Sequence, residues 1–192
     1  MRKSREETAR TRARIVTTAA EEFRRAGIAA TGLASLMSAA GLTHGGFYKH
    51  FASKDQLVTE ACASLMVSGT DALVERARKE PAHQRLAWFV NAYLSPRHRE
   101  DAAHGCGLAA LGAELARGTE ETREVVTEGL THMVAGVASL MDPPDRPDAH
   151  ARAQTLTAGL IGAMTLARAV NDRALSDELL ANTAKTLLAS MG

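Results

Sequence analysis

Aromatic residues and cysteines are both scarce in this sequence, and each shortage excludes a class of protein. Aromatics make up 4% of the 192 residues, whereas alanine is abundant, so the composition favours packed helices over a β-sandwich. The only cysteines are Cys62 and Cys106, too few for a disulfide scaffold. No run of about 18 apolar residues predicts a membrane span, and the charged N-terminus lacks the apolar core of a secretory signal. We therefore expect a cytoplasmic protein with reduced thiols.

The sequence also lacks the common signatures of enzymes and metal sites. It contains no G-x-S-x-G, P-loop, dinucleotide-binding or H-E-x-x-H motif, which predicts a protein without catalytic activity or cofactor. Acidic residues such as Glu114 and Glu128 are interpreted as solvated helix faces. His98, His104 and Cys106 match no standard zinc spacing, so we expect no metal.

What the sequence does contain is an uneven charge distribution. Residues 1–56 carry ten Lys and Arg against five Asp and Glu, a formal charge of +5. Residues 57–192 carry 13 against 17, a formal charge of −4. The basic N-terminal part is where a polyanion would bind, although a solvated helix surface with a chance excess of charge is about equally compatible.

Apolar periodicity and capping residues predict an all-α fold. A capping box at Ser4 opens a helix over about 5–26, and Gly27 ends it. Thr31 is expected to cap a short second helix that ends at Gly41. Thr43 is expected to cap a third that ends near His50, and together these two have the dimensions of a helix-turn-helix.

Further helices follow with larger amphipathic faces. The capping box S-K-D-Q opens a helix that runs from about 54 to 78, and another helix follows Pro81. The polar stretch 95–105 is predicted to be a loop. Helical pattern then resumes from Leu108 to near Gly118 and over about 119–141. After the break D-P-P-D-R-P, two helices are predicted over about 148–170 and 176–190, the second capped by S-D-E.

The first three helices and the start of the fourth resemble the TetR family of bacterial transcriptional regulators. The resemblance lies in G-I-A-A-T-G-L-A-S-L-M-S-A-A-G-L-T-H-G-G-F-Y-K-H-F-A-S-K-D-Q-L, residues 27–57, and is most diagnostic over the final F-Y-K-H-F-A-S-K-D-Q-L. It implies a helix-turn-helix DNA-binding domain over 1–53 and a helical effector-binding and dimerisation domain over 54–192. It also implies a ligand-responsive regulator, expected to be a repressor, bound as a dimer to a palindromic operator.

The residues expected to contact DNA lie on and around the third helix. Gly45 and Gly46 lack side chains and would let the backbone approach the DNA closely, although they could instead fit against a neighbouring helix. Arg2, Lys3 and Arg5 could add an arm, or could be a disordered tail. The predicted DNA-binding residues are Thr31, Thr43, His44, Gly45, Gly46, Tyr48, Lys49 and Lys54.

The C-terminal half is expected to dimerise and to bind an effector. The last two helices, about 148–190, would form a four-helix bundle with a second copy, or else only complete the monomer core. The residues predicted to line an effector cavity are Trp88, Phe89, Tyr93, Cys106, Met133 and Met164, each of which could equally be ordinary core.

Cys106 is singled out because it lies between two glycines at the start of a helix, with basic residues close in sequence. We expect it either to sense an oxidant or electrophile or to be a small buried residue in a tight corner. A helical adaptor that binds only protein is the main alternative for the whole chain, and it would leave the basic half unexplained. DNA binding that weakens steeply with salt separates the two.

Overall fold

The protein is helical throughout the part that its computed structural model describes, which is residues 5–143 and 147–191 without the side chains of Val67 and Ser68. Two short 3-10 helices, His44–Lys49 and Ala102–His104, interrupt the α-helices. The α-helices are α1 (Arg5–Ala26), α2 (Leu33–Ala39), α3 (Lys54–Ala77), α4 (Ala82–Tyr93), α5 (Pro96–Glu100), α6 (Gly107–Leu115), α7 (Glu120–Ala138), α8 (Ala149–Ala169) and α9 (Arg173–Ala189). The predicted all-α fold is thus confirmed.

Two glycines with positive φ shape the N-terminal part. Gly27 ends α1 with φ of 88°, and its N–H donates to the Phe23 carbonyl. Gly41 ends α2 with φ of 69°, and the N–H of Leu42 donates to the carbonyl of Met37 at 2.8 Å. This bond pattern is a Schellman motif, which turns the chain sharply from α2 into the 44–49 helix. The sequence prediction of both helix ends is confirmed.

Helix α2 begins differently from the prediction. Gly32, not Thr31, occupies its N-cap position, and no side chain caps the helix. The Thr31 hydroxyl instead donates to the carbonyl of Gly27 at 2.6 Å, so it closes the turn between α1 and α2. The cap prediction was wrong because a threonine hydroxyl can bond backward as well as forward along the chain.

Helix α3 belongs to two hydrophobic clusters. Its first half contributes Leu57 and Leu65 to a cluster with α1, α2 and the 44–49 helix, and its end contributes Val74 and Ala77 to a cluster built on α4, α7, α8 and α9. As predicted, Ser53 caps it: the Ser53 side chain accepts from the Gln56 N–H. A single helix therefore connects the two clusters.

By length and composition alone, α3 could cross a membrane, whereas the sequence analysis predicted no membrane span. Half of its apolar window is buried within the protein, and it packs against α1 and α7. We therefore assign it to the core.

The stretch 95–105 is not a loop, contrary to the prediction. It contains α5 and the 102–104 helix, because the Ser95 hydroxyl accepts from the His98 N–H and Pro96 occupies the first turn, where its missing N–H costs nothing. The prediction was wrong because proline is typical of loops and of first helical turns alike.

Helix α9 starts three residues before the predicted position. Asp172 caps it by accepting from the Leu175 N–H at 3.1 Å. Ser176, the predicted cap, is buried within the helix, donates to the Ala167 carbonyl and accepts from Arg99. Two capping residues lie four positions apart, and the pattern alone favoured the wrong one.

Three predictions fall partly or wholly outside the described residues. These are the Ser4 capping box, the Arg2 and Lys3 part of the basic arm, and the centre of the break between α7 and α8, residues 144–146.

Candidate functional site

The 44–49 helix presents one buried and one exposed aromatic face. Phe47 is fully buried and stacks on Phe51 with ring centroids 5.4 Å apart, which fixes the helix to the N-terminal cluster. Tyr48 points outward with 66% of its surface exposed, and its ring meets His44 and Phe47 edge-on. The buried ring therefore holds the helix while its neighbours face solvent.

The two glycines of this helix are not required by packing within the protein. A Cβ placed on Gly45 would meet nothing within 4 Å. A Cβ on Gly46 would meet the Thr43 hydroxyl at 3.6 Å and Met37 at 3.9 Å, which are ordinary contacts. The first glycine leaves an open surface that a large partner can approach closely.

A groove runs between the start of α1 and the 44–49 helix. It encloses about 640 Å³, and its lining includes the two cationic residues Arg5 and Lys49 together with Thr43 and Gly46. Thr43 is exposed at the N-terminus of the 44–49 helix, and its hydroxyl caps nothing. Free N–H groups, hydroxyls and cations at one groove are what a phosphate backbone requires.

Much of the basic charge of the N-terminal part is used internally. Arg12 pairs with Glu60, donates to the His50 carbonyl and lies 4.6 Å from the centroid of the Phe51 ring. The Lys54 amino group donates to the carbonyls of Ile28 and Thr31 at 2.9 and 2.8 Å. The formal +5 therefore overstates the charge that this face offers to a ligand.

These bonds bear on two of the predicted DNA contacts. A lysine has three donors, so Lys54 retains one for a phosphate. Thr31 is 6% exposed and would have to release Gly27 to donate elsewhere. Their roles at DNA stay predictions, as do those of Thr43, His44, Gly45, Gly46, Tyr48 and Lys49.

A second cavity, of about 640 Å³, opens between α3, α4 and the 95–106 segment. Of the six predicted effector residues, Trp88, Tyr93 and Cys106 line it. The other three, Phe89, Met133 and Met164, do not line it and are at most 2% exposed within the C-terminal cluster.

His98 holds the backbone at this cavity in place. Its Nδ1 donates to the Tyr93 carbonyl at 2.6 Å, and its Nε2 accepts from the Cys106 N–H at 3.1 Å. Because Nε2 accepts from an N–H, the proton lies on Nδ1 and the ring is neutral. Burial lowers the pKa of His98, which is consistent with the neutral form. The imidazole is thus fully occupied and is not free to bind a metal.

Sequence reasoning missed three residues whose hydrogen bonds join distant parts of the fold. Arg24 of α1 donates to the Gly105 carbonyl at 3.1 Å, beside Cys106. Arg168 of α8 donates to the His98 carbonyl from the other side. Glu114 of α6 accepts from the Ala29 N–H at 2.9 Å, so it is not the solvated residue that was predicted. Their partners lie 70 or more positions away, so no local pattern could reveal them.

This geometry, with an exposed short helix after a tight turn and a separate helical part behind it, defines a helix-turn-helix DNA-binding protein. Residues 15–61 match the family model described as bacterial regulatory proteins, tetR family. A search of curated proteins found no match.

Solved structures share the fold over nearly the whole chain. A transcriptional regulator of the TetR family from Cytophaga hutchinsonii is 22% identical, with a TM-score of 0.79, and the match covers 98% of each chain. The reduced form of E. coli NemR is 20% identical with a TM-score of 0.76, and the match covers 93% of this chain and 95% of that one. RolR in complex with resorcinol is 20% identical with a TM-score of 0.59, covering 98% and 91%.

Residues 15–61 therefore match a tetR-type DNA-binding domain, and the chain as a whole shares the fold of these transcriptional regulators.

Proposed function

We propose that the protein is a repressor that binds a palindromic operator as a homodimer in the cytoplasm and is released by an effector at the cavity beside Cys106. The observation that carries this proposal is the arrangement of α3, which extends from the DNA-binding face to the cavity lined by Trp88 and Tyr93. The domain division follows from it, with 1–53 as the DNA-binding domain and 54–192 as the effector-binding and dimerisation domain.

On the DNA, the 44–49 helix enters the major groove. Gly45 and Gly46 allow close backbone approach, while His44 and Lys49 reach base edges or nearby phosphates. Thr43 and Tyr48 donate their hydroxyls to phosphates. At the neighbouring turn the Lys54 amino group donates to a phosphate, as does the Thr31 hydroxyl once it releases the Gly27 carbonyl. Two copies bind successive major grooves, because operator symmetry follows the two-fold symmetry of the dimer.

The outward surface of α8 is suited to the dimer contact. Leu166 on α8 and Leu175 on α9 are large apolar residues with 55% and 44% of their surface exposed. One helix turn from Leu166, Gly162 is exposed, and a Cβ there would meet nothing within 4 Å. Small and apolar residues on one surface allow the helices of two copies to pack closely.

Cys106 is proposed as the point at which a thiol-reactive effector acts. The thiol is 8% exposed and lines the cavity. The guanidiniums of Arg24 and Arg168 lie near this thiol. An electrophile would form a bond to Sγ while the thiol proton passes to solvent.

Release requires the effector to prefer one of two dimer geometries. An adduct at Cys106 enlarges the side chain directly before α6, whose Leu111 and Leu115 pack in the N-terminal cluster. We infer that the displacement of α6 and α1 changes the separation of the two 44–49 helices, so that they no longer fit successive major grooves.

The test is operator binding by wild-type protein and by Cys106→Ser, before and after N-ethylmaleimide, followed by fluorescence anisotropy. We expect the reagent to weaken wild-type binding at least tenfold, about 1.4 kcal/mol, and to leave Cys106→Ser unchanged. Cys62→Ser is the matched control, because Cys62 is fully buried and burial raises its pKa to about 12. If Cys106→Ser is released as readily as wild type, the thiol is not the sensor.

A further inference from the structure

The cavity beside Cys106 has an apolar side and a cationic side. Trp88, Leu73 and Ala92 supply the apolar side. Three arginines line the remainder, Arg24 from α1 and the exposed Arg76 and Arg97 at the opening. Such a division fits a ligand with an apolar body and a charged group.

None of these arginines forms an ion pair with an acidic residue in the part of the chain that the structure describes, although the charges of Glu21 and Asp101 act on Arg24. Asp101 is the one carboxylate among the lining residues, and it accepts from His104 at 2.8 Å. That bond, first among several causes, lowers the pKa of Asp101. Within residues 5–143 and 147–191, no carboxylate oxygen lies within 4.0 Å of the guanidinium of Arg24, Arg76 or Arg97. The cavity therefore has a surplus of positive charge.

Two guanidiniums approach Gly105 from opposite sides of the fold. Arg24 is only 9% exposed; one of its nitrogens donates to the Gly105 carbonyl, while its buried Nε has no partner. Arg168 donates to the carbonyls of His98 and Arg99, while its buried Nη1 has no partner. A buried cation with unmet donors is costly unless an anion joins it, and burial lowers the pKa of both arginines without removing their charge.

Tyr93 adds a neutral donor at the same place. Its ring lines the cavity at 1% exposure, and its hydroxyl is buried without a hydrogen bond of good geometry. Burial raises the pKa of Tyr93 well above its usual value, and the adjacent Cys106 thiol raises it further. The phenol therefore stays protonated. A buried hydroxyl that can donate and has the weakly accepting Cys106 sulfur beside it is a second, independent sign of a missing oxygen ligand.

We propose that, besides a thiol-reactive compound, this cavity takes a small organic carboxylate as a reversible effector. Its charged group accepts from Arg24 and Tyr93, and its apolar body lies against Trp88 and Leu73. This inference rests on the proposed function, because it names the chemical class of the effector for the same cavity. A planar guanidinium matches a carboxylate in shape, and a single negative charge suits a site that is half apolar.

The position of Arg24 gives such a ligand a direct effect on DNA binding. Arg24 belongs to α1, which packs against the 44–49 helix region through Ile15, Ala19 and Phe23. A carboxylate that accepts from the Arg24 guanidinium competes with the Gly105 carbonyl for it. Ligand binding would therefore change the contact by which α1 is held to the 95–106 segment.

The proposal is tested by calorimetric titration of the full-length protein with three carboxylates and their neutral amides. The pairs are benzoate and benzamide, 2-naphthoate and 2-naphthamide, and octanoate and octanamide. Trp88 is the only tryptophan in the chain, so a change in its fluorescence reports binding at this cavity. We expect at least one carboxylate to bind at least about tenfold more tightly than its amide.

Variants identify the groups responsible. Arg24→Gln should reduce the preference for carboxylate over amide to about twofold or less, and Tyr93→Phe should reduce it about threefold while leaving the ring in place. Arg123→Gln, an exposed arginine on α7 outside this cavity, is the matched control and should keep the full preference. If Arg24→Gln does not fold by circular dichroism, Arg97→Gln and Tyr93→Phe decide the result.

Two results overturn the proposal. One is the absence of saturable binding by every carboxylate up to about 5 mM, and the other is amides that bind as tightly as their carboxylates. Operator binding by the same preparations distinguishes this failure from that of the proposed function. Salt-sensitive operator binding without carboxylate binding rejects only the ligand class, whereas loss of operator binding rejects the regulator itself.

Discussion

At the scale of single residues, Gly45 and Gly46 are the positions where local propensity and function conflict. A glycine costs a helix about 1 kcal/mol relative to alanine, and no contact within the protein requires it at Gly45. The alternative that this glycine fits against a neighbouring helix is therefore not supported by the geometry. We propose close approach of the backbone to DNA as the explanation.

This explanation predicts the behaviour of two variants. Gly45→Leu and Gly46→Leu should fold with a free energy of unfolding within about 1 kcal/mol of wild type, since the sites have room for a Cβ. Their operator affinity should fall at least tenfold, because the side chain separates the backbone from the DNA. Thermal denaturation and fluorescence anisotropy measure the two effects. Unchanged operator affinity for both variants would reject the role of the glycines.

Single residues also show what the sequence could and could not predict. The glycines, Tyr48 and Lys49 could be proposed as DNA contacts because they lie close together in a short motif, and their roles stay predictions. Arg24 and Arg168 could not be singled out, since each is one of many arginines on a helix surface and its role depends on a carbonyl far away in the sequence. Long-range contacts leave no periodic signal.

At the scale of elements, helix ends were predicted well where glycine or a capping box decides them. The ends of α1 and α2 and the start of α3 follow from Gly27, Gly41 and Ser53. Predictions failed where two capping residues compete, as at Asp172 and Ser176, or where a proline was interpreted as a break. The choice between such alternatives depends on tertiary contacts, here the bonds of Ser176 to Ala167 and Arg99.

The link between α4 and α6 through His98 predicts a pH-dependent stability. Burial lowers the pKa of His98 in the folded protein, so the unfolded chain binds the proton more readily. The contribution of neutral His98 to the free energy of unfolding is therefore complete above the pKa of the unfolded chain, about 6.5. It is lost as the pH falls below that value, by at most about 1.4 kcal/mol per pH unit. Urea denaturation between pH 7.5 and 5.5 measures this slope.

The variant His98→Gln should be less stable at pH 7.5 but should show a shallower slope over the same range. His83→Gln is the control, because His83 is exposed at the start of α4. A slope in His98→Gln equal to that of wild type would show that other groups cause the acid sensitivity.

At the scale of the whole molecule, α3 contributes residues to both hydrophobic clusters. Hydrogen bonds from Arg24 to the Gly105 carbonyl and from the Ala29 N–H to Glu114 also join the N-terminal helices to the chain beyond residue 100. The helical architecture was predictable from apolar periodicity. The division of α3 between two clusters was not predictable, because periodicity shows which side of a helix is buried but not which helix packs against it. The proposed coupling from cavity to DNA depends on these shared contacts.

The proposed dimer predicts the effect of a charge on the outer surface of α8. Leu166→Glu should leave the monomer folded, since the side chain is 55% exposed, but should prevent close packing of two copies. Sedimentation at micromolar concentration should then give the mass of one chain, about 20.4 kDa, instead of two. Leu130→Glu, on the exposed side of α7, is the control and should stay dimeric. A dimer that withstands Leu166→Glu would place the interface elsewhere.

The most direct test of the central claim is selection of double-stranded DNA from a random library by the purified protein, followed by titration of the enriched sequence at several salt concentrations. We predict a palindromic sequence with half-sites about one helical turn apart, and a logarithmic salt slope steeper than about −5. Lys49→Gln should make that slope shallower by about 1 for each phosphate that the lysine neutralises in the wild-type complex. Failure to enrich any sequence, or binding that does not weaken with salt, would contradict the account and favour a helical adaptor that binds only protein.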